Sequence, residues 1–227
     1  MARRAWKLAA GMVVFPLALA GCSRGGHPTV AGSASAKAAA VEGITAAMLK
    51  NALLTRVNGV AAAAPASSGR YGSVARPPGR VQVTPKACAV VATRGFGPAA
   101  LAGAPAAVVT FRVVSNRVSE VLIASSDKSA ATALAGHVPA DCKRYQEKVE
   151  GKTFTYSVVE QAVTGIGKQA EALNAHAVGA TSDNLWSLIY RGAGFVGTVT
   201  VIGPNASEKA VQELGQQAYA FAAKTLS

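Results

Sequence analysis

The sequence predicts an α+β fold, a two-layer sandwich of an antiparallel sheet with helices packed on one face. Three observations predict it. Apolar and polar residues alternate through 107–115, 152–161 and 185–202, the period of strands half covered by a core. Short turns bearing Asn or Gly separate successive strands, which favours antiparallel pairing. Other stretches carry helical spacing behind a capping residue. Half of the 227 residues are hydrophobic and only 6% aromatic, so the core is built from small and β-branched side chains.

The elements follow in order. Thr45 is placed to cap a helix, with Ile44 and Leu49 as its staple, and Leu49, Leu53 and Val57 recur at i+4 until Asn58-Gly59 stops them. Residues 61–80 read as a long loop, and Val81 and Val83 begin a short edge strand. Residues 95–103 read as loop or a short helical turn. Val109, Phe111 and Val113 share one face of a strand over 107–115, and 118–125 is its return strand. Ser126 or Asp127 caps a helix that Gly136 closes. Residues 152–161 form a strand, 162–183 a link broken by Gly165 and Gly167, and 185–191 with 195–202 a hairpin around Gly192-Ala193-Gly194. Asn205 and Glu208 open a final helix whose buried face is Val211, Leu214, Ala218, Phe221 and Ala222.

Three segments precede or make up this domain: 1–21, 22–42 and 43–227. The first has the parts of an export signal, with Arg3, Arg4 and Lys7 ahead of an apolar run over 8–19 that is short for a membrane span. Leu19-Ala20-Gly21-Cys22 looks like the lipobox of bacterial lipoproteins, in which the cysteine thiol takes a diacylglycerol. That resemblance implies a signal peptide over 1–21, lipidation at Cys22, and a domain held by membrane lipid on the extracytoplasmic side of the cell membrane. The competing reading is an uncleaved anchor with an unmodified cysteine. Arg3-Arg4 leaves open a twin-arginine route beside the general one. Residues 22–42 are rich in Ser, Gly and Ala and read as a flexible tether.

The formal charge is +12, and taking away the three cations of the leader leaves +9. No Lys/Arg cluster with an aromatic platform is visible, so nucleic acid is not an expected partner. Attraction to anionic lipid or wall polymer fits the excess, as does plain solubility.

With Cys22 assigned to the lipobox, Cys88 and Cys142 remain as an even pair. Outside the cytoplasm such a pair favours a disulfide. Two buried free thiols are the alternative. A bridge would close about 54 residues and contribute ~4 kcal/mol in the chain-entropy account. No metal set is read, since neither cysteine has a His or third Cys nearby.

The search for catalysis finds nothing, and no cofactor is expected. His27, His137 and His176 stand apart in the sequence, and surface or packing roles suit them. No Gly-x-Ser-x-Gly elbow and no close carboxylate pair is present. Gly192 to Gly197 spells the dinucleotide glycine pattern, but between two strands rather than at a strand-to-helix turn. For binding, Tyr156, Trp186 and Tyr190 with Arg112 and Arg191 are the candidates, a set suited to an anionic or amphipathic envelope ligand. Their alternative roles are core for the rings and solvated surface for the arginines.

The order of elements, taken with Ile44-Thr45-Ala46-Ala47-Met48-Leu49, Cys88 shortly after Pro85, Val108-Val109-Thr110-Phe111, and Cys142 behind a short Ala-rich helix, carries a resemblance. The chain resembles the exported lipoproteins of high-GC Gram-positive bacteria and, more narrowly, the PknH-like extracellular sensor domain, over residues 43–227. The resemblance implies a ligand-sensing module with an antiparallel sheet, helices and a cleft, and no enzyme activity. Kinase-linked members carry two disulfides, whereas this chain can form one. It has no kinase segment, so a signal would pass by contact with a partner. A structural lipoprotein that docks an envelope protein is the second expectation, and a wall hydrolase the third.

Overall fold

A computed structural model describes residues 43–75, 82–94, 99–149, 151–178 and 184–227. They fall in the unit Ala36–Ser227. The expected signal peptide over 1–21 and the expected tether over 22–42, with Cys22, lie outside the described residues.

Besides three short 3-10 turns, eleven strands and four α-helices are described. In chain order they are α1 (Ala46–Asn51), β1 (Arg56–Val57), β2 (Val60–Ala61), β3 (Ser67–Arg70), β4 (Gln82–Thr84), α2 (Ala89–Arg94), β5 (Pro105–Val113), β6 (Asn116–Ala124), α3 (Asp127–Leu134), β7 (Arg144–Val149), β8 (Lys152–Val163), β9 (Gln169–Val178), β10 (Asn184–Arg191), β11 (Phe195–Gly203) and α4 (Glu208–Leu226). β1 and β2 pair with each other; the other nine form one antiparallel sheet in the order β3-β5-β6-β11-β10-β9-β8-β7-β4.

The α+β sandwich is therefore the fold. On one face α1 and α4 cover the central strands, burying Leu49, Leu53, Val211, Leu214, Ala218 and Ala222 against Phe111, Leu122, Leu188, Tyr190 and Val199. This is the expected helical layer. The opposite face carries a smaller cover as well. There α3 sets Ala130 and Leu134 on Val121, Ile123, Ile189 and Val196, and the segments around Cys88 and Cys142 sit on Val158, Leu173 and Ala175. The reason is in β6 and β11: the run from Val121 to Ala124 is buried without alternation, as a strand covered on both sides must be.

Close approach tightens the first face. Tyr190 lies flat over Gly197, its cross-strand partner, where an added Cβ would meet the ring at 2.1 Å. Gly215 of α4 likewise admits Leu188, at 2.8 Å from such a Cβ. Bulkier residues at either point would push helix and sheet apart.

Several boundaries differ from the sequence reading. The first helix stops at Asn51 rather than running to Val57. Asn58 and Gly59 have φ of 49° and 79°, the two left-handed residues of a tight hairpin between β1 and β2. The i+4 stripe was real, since Leu49, Leu53 and Val57 are all buried, but the pair of turn residues decided the backbone. Ser207, not Asn205, caps α4 by accepting from the amide of Ala210, while Asn205 binds the β5–β6 turn at Asn116 and Ser115. Phe221 is left 37% exposed. Besides β1 and β2, three strands differ from the sequence reading: β3 lies inside the expected long loop, β7 falls where no strand is expected, and β9 lies inside the expected link.

Candidate functional site

The helical cover on the first face ends at β9. Past the buried Ala170 and Ala172, the rest of β9 with β8, β7 and β4 turns that face toward solvent. Alternation assigns its side chains: Asn174, His176 and Val178 of β9, Ser157, Val159 and Gln161 of β8, Arg144, Gln146 and Lys148 of β7. Val159 is 57% exposed and Val178 41%; Arg144, Gln146 and Lys148 are exposed. Trp186 marks the rim, half-buried, packed against the first core and next to Asn174 across the strands. Asn174 donates its side-chain amide to the Leu185 carbonyl at 3.1 Å. His176 Nδ1 lies 2.6 Å from Asn184 Oδ1. These contacts fix polar side chains on a rigid sheet, leaving a platform that is apolar along Val159, Val178 and Trp186 and basic toward its edge. A small cleft of about 290 Å³ opens beside it, between 163–166 and Lys209, Gln212, Glu213 and Gln216 of α4.

The five residues expected to line one cleft do not converge. Trp186 is on the platform. Tyr190 shares its face but is fully buried beneath α4, with its ring edge-on to Phe195 and Tyr219. Tyr156 points to the other face and stacks on Tyr145 at 5.5 Å in the core under the disulfide. Arg191 also faces away, donating to the Asp127 carbonyl at 3.3 Å at the start of α3. Beside it Lys168 bonds Asp127 at 2.6 Å and holds that carboxyl below its usual range, with the Arg191 charge adding to the effect. Arg112 is exposed at the far end of β5, directly opposite Arg117 of β6. The physical cause is the period of two: Trp186 and Tyr190 share one parity on β10, and Arg191 has the other.

Cys88 and Cys142 are bonded, with Cα atoms 5.3 Å apart. The bridge ties the segment before α2 to the one before β7 and lies wholly inside the second-face core.

Two further features escaped the sequence. Glu120, on the covered face of β6, is 1% exposed. Its Oε2 accepts the Leu54 amide at 2.8 Å, yet burial pushes its carboxyl up to about 8 against that bond. Burial also raises the Tyr190 hydroxyl, helped by Glu120 nearby. On the second face Glu160 of β8 and Glu171 of β9 are diagonal neighbours across the strand pair, and His137, just past α3, reaches over them. His137 Nδ1 is 3.6 Å from Glu160 Oε2, and one donor atom from each of the three lies within 4.8 Å of the others. The signal was hidden because Glu171 belongs to a strand that read as a link.

With this geometry in hand, the fold can be compared with known proteins. The extracellular domain of PknH from Mycobacterium tuberculosis superposes with a TM-score of 0.54, at 14% identity, over 80% of this chain and 96% of that one. The chain has a PknH-like fold. An uncharacterized protein of Mycobacterium smegmatis, the ortholog of Rv0999, aligns with a TM-score of 0.38 at 14% identity over 74% of this chain and 86% of its own. No family model matches the sequence, and no curated protein matches it. The likeness to the PknH domain is thus one of architecture, and it extends over nearly the whole of that domain.

Proposed function

We propose that this chain is a lipid-tethered, extracytoplasmic, non-catalytic module that binds an anionic or amphipathic envelope ligand on the open sheet platform. The platform is the observation that carries the binding: exposed Val159 and Val178, Trp186 at the rim, and Arg144 and Lys148 along the edge. Apolar side chains flanked by cations match a ligand with an acyl or ring portion and a negative group. The address is supported by the lipobox-like Leu19-Ala20-Gly21-Cys22, by the bonded Cys88 and Cys142, and by the likeness in fold to the extracellular domain of PknH. Among the described residues no helix is long and apolar enough to cross a membrane.

The test is the melting temperature of the full chain in mixed micelles, with phosphatidylglycerol or phosphatidylcholine, and with a soluble anionic wall polymer. The expected result is a rise with an anionic component that Arg144→Glu with Lys148→Glu abolishes and Trp186→Ala reduces. A melting temperature indifferent to every anionic component rejects ligand binding here. It would favour docking of an envelope protein instead, for which the same exposed valines supply a contact.

A further inference from the structure

We infer that His137, Glu160 and Glu171 form a binding site for a divalent transition metal, of the class to which zinc belongs. The three come from elements held rigidly for independent reasons. Glu160 and Glu171 stand on the same face of adjacent central strands. Glu171 is 9% exposed and the Glu160 side chain 16%. Placed diagonally and largely buried, the two carboxylates gather negative charge at one point of the face. His137 is carried in by the chain between α3 and Cys142. That stretch is pinned at both ends, by Leu134 in one core and by the disulfide in the other. Val138 is buried between, and its amide donates to Glu160 Oε2 at 2.9 Å, orienting that carboxylate from behind as a metal ligand is oriented.

One imidazole and two carboxylates are a donor set for zinc, with metal–ligand distances of about 2.0–2.2 Å. Tetrahedral geometry at that length separates ligand atoms by roughly 3.4 Å. The His137–Glu160 separation of 3.6 Å is already close to this, and the remaining contraction, from at most 4.8 Å, is shared between rotation of the imidazole, whose side chain is 84% exposed, and rotamer adjustment of the two carboxylates. Two carboxylates and a neutral imidazole cancel the charge of one divalent ion. Three protein donors leave a fourth position for water or for the anionic group of a ligand. The site forms from sheet and loop residues and stands whether or not Cys22 carries lipid or the platform binds anything.

The test is equilibrium dialysis of the full chain against micromolar zinc, paired with the visible absorption of the cobalt(II)-loaded protein. Wild type is expected to bind one zinc at this site, to melt higher when loaded, and to show the cobalt bands of a four-coordinate site. His137→Ala, at an exposed position that leaves the core intact, is expected to weaken binding at least tenfold. Glu171→Gln should do the same, whereas His27→Ala and His176→Ala should not. Absence of bound zinc in wild type overturns the site, and so does zinc that His137→Ala leaves in place.

Discussion

Glu120 occupies a position that alternation reserves for an apolar side chain. Val118, Leu122 and Ala124, its neighbours on the same face of β6, are all core. The Leu54 amide at 2.8 Å compensates it in part. With the folded carboxyl pushed up to about 8 from an ordinary 4.5, the native state holds its proton after the unfolded chain has lost its own. Below pH ~4.5 both states are protonated and Glu120 costs nothing in ionisation. Between there and about 8 stability falls as pH rises, and above that the loss, a few kcal/mol at most, levels off. Glu120→Gln keeps an oxygen for Leu54 and removes the ionisation. It is expected to match wild type in urea unfolding near pH 4.5 and to exceed it at pH 8; equal loss of stability with pH in both proteins would mean other groups set the slope. Nothing in the local sequence marks this residue, because a polar residue at one point of a strand reads as a solvent-facing one until the neighbouring helix is known.

The disulfide acts on whole elements. It joins α2 and its approach to the start of β7 across 54 residues of chain, and it lies beneath Val91, Val138 and Tyr145 in the second-face core. Cys88→Ser should lower stability by ~4 kcal/mol, a fall of roughly 10 °C in a domain of this size, and mass spectrometry of unreduced wild type should recover the 88–142 linkage. Two alkylatable thiols in the native protein would contradict it. Legibility also divides by element. β10, β11 and α4 were readable because Val, Ile, Phe and Tyr, or a full helical stripe, declare their period. β9 was not, because Ala170, Ala172, Ala175 and Ala177 pack inward without strand propensity. β7 offers Tyr145 as its only buried residue with a described side chain. β3 is Ser67-Ser68-Gly69-Arg70, an edge strand with nothing apolar to betray it. The candidate sites inherit those gaps: Trp186 was legible on its strand, but the platform needed β7 and β9 to exist.

At the scale of the molecule, the proposed address rests on the amino-terminal segment and the proposed binding surface on the sheet, so the two are separable by mutation. Cys22→Ala should move the protein from the membrane to the soluble fraction in its own cell and abolish incorporation of labelled palmitate, with the melting temperature unchanged. Membrane retention with no label lost would remove the lipid anchor and leave the platform standing. The sheet itself has one more consequence. Its two outermost strands, β3 and β4, come from chain only about 12 residues apart. Nine strands laid flat would set those margins roughly 38 Å apart, close to the ~40 Å that so short a stretch reaches when pulled straight. Tyr71 and Ala75 consume part of that reach by entering the core under α3. A sheet whose first and last strands are so near in sequence has almost no length to spare for a flat arrangement, and the natural twist of its strands shortens the distance between its margins.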